Sequence, residues 1–156
     1  MQKKTSFTIQ EAQKKLEYYC AYQERCHWEV EQKLKDLQMI PEAQEVIISK
    51  LIKENYLNES RFAQSFARGK FNIKKWGKQR IVNELKARKI SEYNIKLALK
   101  EISDEAYQSV FYSLFEKRKK AVSNYSIPIQ KKKILAYMVY RGWESHLIYT
   151  ALNENF

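Results

Sequence analysis

Apolar residues recur along this chain at intervals of three and four, and the pattern itself returns 53 positions later. Ile95, Ala98 and Leu99 reappear as Ile148, Ala151 and Leu152; Ile81 reappears as Ile134, Leu85 as Met138 and Ile90 as Trp143, while Ser60 and Phe62 match Ser113 and Phe115. No gap is needed over roughly 45 positions. Spacing of i, i+3, i+4 gathers residues on one helical face. A fixed internal period marks stacked units, none of which buries its apolar face alone. The predicted fold is all-α, a tandem array of three three-helix repeats, elongated and curved. The repeats are assigned to residues 1–57, 58–103 and 104–156.

The periodicity predicts helices over 8–22 (Ala12, Leu16, Tyr19), over 26–38 (Val30, Leu34, Leu37) and from Pro41 onward (Ile47, Ile48, Leu51, Ile52). Asn58 is the expected N-cap of the next helix, ahead of Phe62 and Phe66. A helix over 76–88 turns Ile81 and Leu85 inward, and another follows Ser91. The last repeat opens near Asp104 with Tyr107, Val110, Phe111, Leu114 and Phe115 on one stripe. Asn124–Pro128 is expected to break the chain before helices over 129–140 and 144–154, with Gly142 as the intervening stop. The first repeat aligns less cleanly: Leu34 falls on Leu85 and Ala12 on Ala63, with an insertion at Met39-Ile40-Pro41.

Composition narrows the class. Three Gly and two Pro in 156 residues disfavour a turn-rich sheet protein. Eleven Tyr, seven Phe and three Trp supply ample core material. No apolar run reaches the roughly 18 residues of a membrane span. The opening Met1-Gln2-Lys3-Lys4 lacks an apolar leader, so the expected location is the cytoplasm. Cys20 and Cys26 have no CxxC spacing and read as buried reduced thiols rather than metal ligands. No heptad run predicts a coiled-coil dimer, so a monomer is expected.

Charge changes the picture more. The net charge is +11, and it is uneven. Residues 1–67 balance ten bases against ten acids. Residues 68–89 hold nine bases and only Glu84; residues 112–141 hold eight and only Glu116. Two basic blocks at equivalent places in two repeats imply a positive stripe for a polyanion or an acidic protein surface. Catalysis has little support. Glu11/Lys15 and Glu31/Lys35 are surface pairs at i, i+4. His27, expected within a helix, and His146 lack a nucleophile partner, and Trp76-Gly77-Lys78 is not a phosphate loop. Around Trp76, the Lys74–Arg80 stretch clusters cations at a helix start whose N–H groups would add to the positive field. Trp76 itself reads either as packing or as a stacking surface.

Leu57-Asn58-Glu59-Ser60-Arg61-Phe62-Ala63 is followed by Gly77-Lys78-Gln79-Arg80-Ile81, then by Glu84-Leu85 and Ile90. These segments resemble the RecX family, bacterial regulators of the RecA recombinase. That family pairs a Leu-(Asn/Asp)-(Asp/Glu)-x-Arg-Phe-Ala segment with a basic Gly-x-x-Arg-Ile-x-x-Glu-Leu-x-x-(Lys/Arg)-Gly-Ile segment. Asn58 stands where an acid is commoner, and Lys89 where glycine is usual. The resemblance implies a helical-repeat protein that is not an enzyme and needs no cofactor. It would bind along the groove of the RecA–DNA filament and limit ATPase, strand exchange and co-protease activity, with a place in homologous recombination, DNA repair and the SOS response. Arg68, Lys74, Lys75, Lys78, Arg80, Lys86 and Arg88 are the expected central contacts. Lys117, Arg118, Lys119, Lys120, Lys131, Lys132 and Lys133 extend them, while Asn58, Phe62, Gly77, Ile81 and Leu85 carry structure. Arg61 reads either as the clasp of a helix junction or as a partner contact. The alternative function is a direct binder of single- or double-stranded nucleic acid.

Overall fold

The computed structural model describes residues 6–156; Met1–Lys4, on which the leader argument rests, lie outside the described residues. Among the described residues there are nine α-helices and no strand. In order they are α1 (Ile9–Tyr22), α2 (His27–Asp36), α3 (Pro41–Lys53), α4 (Glu59–Asn72), α5 (Lys78–Ala87), α6 (Glu92–Leu99), α7 (Asp104–Ala121), α8 (Ile127–Tyr140) and α9 (Ser145–Asn155). None is long and apolar enough to cross a membrane.

Local chemistry sets the helix starts. At α1 the Glu11 N–H donates to Thr8 Oγ1 (3.1 Å) and the Thr8 N–H to Glu11 Oε1 (3.0 Å), a reciprocal capping box that satisfies two otherwise orphaned donors. Asn58, Ser91 and Ser103 cap α4, α6 and α7 by accepting from the N–H three residues on. Two starts differ from expectation. His27 is the first residue of α2, not an interior one, and its N–H donates to Glu59 Oε1 (2.8 Å). Helix α8 begins at Ile127, so Pro128 opens the helix instead of preceding it. A proline's missing N–H has no partner in a first turn anyway.

The apolar seams divide into two cores. Ala12, Leu16 and Cys20 of α1, Val30 and Leu34 of α2, and Ile47 and Leu51 of α3 pack together with Leu57. All six helices from α4 to α9 share the other core, which Cys26 also joins. Within it, the repeat-related pairs Phe62/Phe115, Ile81/Ile134, Leu85/Met138, Ile90/Trp143, Ile95/Ile148 and Ala98/Ala151 are all buried. A ring chain, Phe71–Tyr107–Trp143–Phe111–Phe115, runs through its middle with neighbouring centroids 4.5–6.1 Å apart. Such contacts add to the burial of the rings.

The central and last helices are joined by backbone. Gly77, the N-cap of α5, has no side chain to offer the first turn. Instead the Gly77 N–H donates to Arg141 O (2.8 Å), the Gln79 N–H to Gly142 O (3.0 Å), and the Lys78 N–H to the Tyr107 hydroxyl (2.8 Å). That hydroxyl in turn donates to Glu144 Oε1, and the Trp143 Nε1–H reaches Lys75 O (3.2 Å). A Cβ on Gly77 would sit 2.5 Å from the Gly142 carbonyl carbon and 2.6 Å from Trp143 N, while Gly142 occupies φ +93°. The chain bends after α2, α3, α4 and α5 at Gln38, Asn55, Lys75 and Lys89, each with φ near +60°. Lys89 thus takes the left-handed turn that glycine would adopt more cheaply.

Two outcomes follow from this packing. Gly77→Ala should lower unfolding free energy by about 1–3 kcal/mol because the obstruction is backbone, which cannot rotate away. Gly69→Ala, where an added Cβ meets nothing within 4 Å, should raise it by up to about 1 kcal/mol. Urea denaturation compares the two. Burial also pushes the Cys20 thiol up to about 11 and the Cys26 thiol up to about 12, from 9.0. The folded chain therefore keeps protons that the unfolded chain releases, so stability holds below about pH 9 and falls as pH climbs toward the folded values. The double variant Cys20→Ala, Cys26→Ala should show a shallower alkaline decline.

A cation–aromatic ladder as the candidate partner interface

Cations and rings alternate across the junction just described. The Arg88 guanidinium lies 4.9 Å from the Phe66 centroid. Lys70 Nζ lies 5.4 Å from Phe66 and 5.0 Å from Trp76. Arg80 then lies 4.2 Å from Trp76 and 4.9 Å from Tyr140, and its Nη1 donates to the Tyr140 carbonyl (3.3 Å). Beside Tyr140, Arg141 and Arg118 share the Tyr137 ring at 4.5 and 4.8 Å. The ladder runs from the C-terminal end of α5, past the last turns of α4, to the end of α8 and the last turns of α7. Stacking holds these side chains in place, so less freedom is lost when a partner binds.

Helix geometry explains which cations join it. With successive residues about 100° apart, α5 places Arg80, Glu84 and Arg88 on one flank of its buried Ile81/Leu85 seam. Lys78, Val82 and Lys86 fall on the other flank. The single row expected from the charge blocks is therefore split along α5. Lys78 lies over Tyr107 (4.5 Å), and Lys86 is exposed away from the ladder. Glu84, the block's lone acid, pairs with Arg88 at 2.9 Å.

The remaining predicted cations are dispersed. Arg68 pairs with Glu101 at 3.4 Å. Lys74 is exposed beside the ladder, and its carbonyl accepts from Arg141 Nη1 (3.3 Å). Lys75 contributes its carbonyl to Trp143. Lys119 and Lys131 meet at the Phe156 ring, 5.6 and 5.9 Å from its centroid, and Lys133 lies over Tyr125 (4.6 Å). Lys117, Lys120 and Lys132 are exposed. The N–H groups at the start of α5, offered to an anion by the sequence, are already taken by Arg141, Gly142 and Tyr107.

Two ladder cations, Lys70 and Arg141, were not among the expected contacts. The signal for Arg141 was local: Tyr137, Tyr140 and the C-cap Arg141 stand at i, i+3, i+4 at the end of α8. Next to Lys70 a shallow groove of about 200 Å³ runs over Gly69 between Phe66, Ile73 and Lys74. Ile73 is 77% exposed there, an apolar point set among cations.

Arg61 lies elsewhere. Its Nε donates to Glu24 Oε1 (2.7 Å), and its Nη atoms reach Asn55 Oδ1 (3.1 Å) and the Asn55 and Tyr56 carbonyls (3.0 and 3.3 Å). It clasps α4 to Glu24 in the α1–α2 connection and to the turn before α4.

A family model described as RecX, second three-helix domain, matches residues 58–99. Proteins named Regulatory protein RecX from Bacillus cytotoxicus and Bacillus mycoides are 27% and 26% identical over 136 residues, which cover 87% of this chain and 50% of each relative. The chain thus spans about half the length of the curated relatives it matches. The crystal structure of RecX from Lactobacillus salivarius superposes with a TM-score of 0.81 at 27% identity, covering 94% of this chain and 95% of that one. A crystal structure described as regulatory protein RecX gives 0.80 at 22% identity, over 99% and 83% of the two chains, a likeness of fold.

Arg61→Ala should cost about 1–2 kcal/mol, since it strips the Glu24 carboxylate, the Asn55 amide oxygen and two backbone carbonyls of their donors at a partly exposed site. Arg61→Lys should recover only part of that, because an ammonium cannot span all four acceptors. Thermal unfolding of the two variants measures the difference.

Proposed function

We propose, from the premise that the chain belongs to the RecX family, that it regulates the RecA recombinase by docking in the groove of the RecA–DNA filament. In this reading it limits ATP hydrolysis, strand exchange and co-protease activity, and acts without a cofactor as a monomer of three helical repeats, 1–57, 58–103 and 104–156. The observation that carries the reading is the ladder. Its cations alternate with rings and border the exposed Ile73, and such a mixture suits an acidic protein surface better than phosphates alone. Arg and aromatic side chains are the groups that dominate protein–protein contacts. The helices from α4 to α9 would present this surface as one body because they share one core.

The direct test is a titration into DNA-dependent ATP hydrolysis by RecA. Suppression is expected at substoichiometric to stoichiometric ratios, and no suppression at any ratio rejects the proposal. Reversing the charges flanking the Ile73 groove, Lys70→Glu with Lys74→Glu, should weaken suppression at least about tenfold, or about 1.4 kcal/mol. If instead the wild type leaves ATP hydrolysis untouched but holds bare DNA with steep salt dependence, direct nucleic-acid binding takes its place.

A further inference from the structure

The turn between α7 and α8 carries an apolar tip inside a collar of lysines. Tyr125, Ile127 and Ile129 are 42%, 55% and 44% exposed, and Pro128 between the isoleucines is exposed as well. Lys117, Lys119 and Lys120 lie at the end of α7, while Lys131, Lys132 and Lys133 lie near the start of α8. At a rise of about 1.5 Å per residue, all six sit within about 9 Å of the tip along the helix axes. Glu116 is the single acid between residues 112 and 133, and no ion pair among the described residues engages these lysines. The tip is held in place by its own hydrogen bonds. The Tyr125 N–H donates to the Val122 carbonyl (3.1 Å), and Gln130 Nε2 donates to the Tyr125 and Ser123 carbonyls (2.7 and 3.4 Å). None of these residues belongs to the ladder.

We propose that this hairpin tip docks on an anionic lipid bilayer, with Ile127, Pro128 and Ile129 entering the headgroup layer and the lysines resting on lipid phosphates. Cations near a bilayer are drawn to its negative surface, and the apolar tip decides what must lie behind that charge. Isoleucine and proline have no planar face on which a base could stack, and the Tyr125 ring already carries Lys133 at 4.6 Å. A bilayer instead offers acyl chains about 5–10 Å beneath its charged surface, the depth that interfacial apolar side chains reach. Two carbonyls of the turn are satisfied by Gln130, so entering the headgroup layer leaves fewer polar groups unpaired. No described helix is long and apolar enough to cross a membrane, so the contact is peripheral.

Cosedimentation of the full chain with lipid vesicles, without RecA or DNA, tests the proposal. Phosphatidylcholine vesicles containing phosphatidylglycerol should hold the chain at least about tenfold more tightly than phosphatidylcholine alone. Ile127→Ser with Ile129→Ser should weaken that hold at least about fivefold. The pair should leave the urea midpoint unchanged, as both side chains are exposed. Ile127→Leu with Ile129→Leu should retain binding, since only apolar character is required. Equal binding to the two vesicle types overturns the proposal. So does anionic binding that survives the serine pair, which would mark a surface answering to phosphate charge alone, as a nucleic acid supplies. The proposal goes beyond the filament reading, and the RecA titration can fail or succeed independently of this measurement.

Discussion

The structure depends on one close approach, that of the Gly77 backbone to the turn at Arg141–Gly142. The first N–H groups of any helix need partners, and α5 begins without a capping side chain. Carbonyls from the end of α8 and the hydroxyl of Tyr107 on α7 fill that role. Because the acceptors belong to distant sequence, capping one helix also positions two others, α7 and α8. The fit admits no Cβ on either glycine, so α5 has little room to slide. Trp76, Arg80 and Tyr140 are adjacent to these atoms, and the ladder therefore crosses the junction at its most constrained point.

The other junction is of a different kind. The helices α1–α3 hold their own apolar cluster and meet α4 through polar groups, Arg61 with Glu24 and Glu59 with the start of α2. Among the described residues of that side, only Cys26 enters the larger core. Hydrogen bonds and a partly exposed ion pair contribute far less than a shared apolar core. The molecule thus combines a tightly joined pair of repeats with a more loosely held one.

Much of this was legible in the chain. The 53-residue spacing named the buried seam almost residue by residue, because periodicity reports directly on which face a helix buries. Asn58, Ser91 and Gly142 announced helix ends for equally local reasons. The flank on which each cation lies was less accessible. Summing charge over a block ignores the 100° step between neighbours, so Lys78 and Lys86 were grouped with Arg80 and Arg88. Contacts such as Arg80 over Tyr140 depend on how two repeats dock, and no local pattern encodes that.

The glycine contact also bears on how such an array could grow by duplication. At the repeat spacing Gly77 corresponds to Gln130 and Gly142 to Lys89. Gln130 is a helical residue whose side-chain amide donates to the Tyr125 carbonyl (2.7 Å), and the cap of its helix is Ser126, so the glycine of the junction has no counterpart in the last repeat. The contact is therefore heterotypic: the donor half survives in one copy and the acceptor half in the next. A further copy carrying the last repeat's sequence would bring glutamine, not glycine, to that position, and its joint to the next turn would have to be built from other groups.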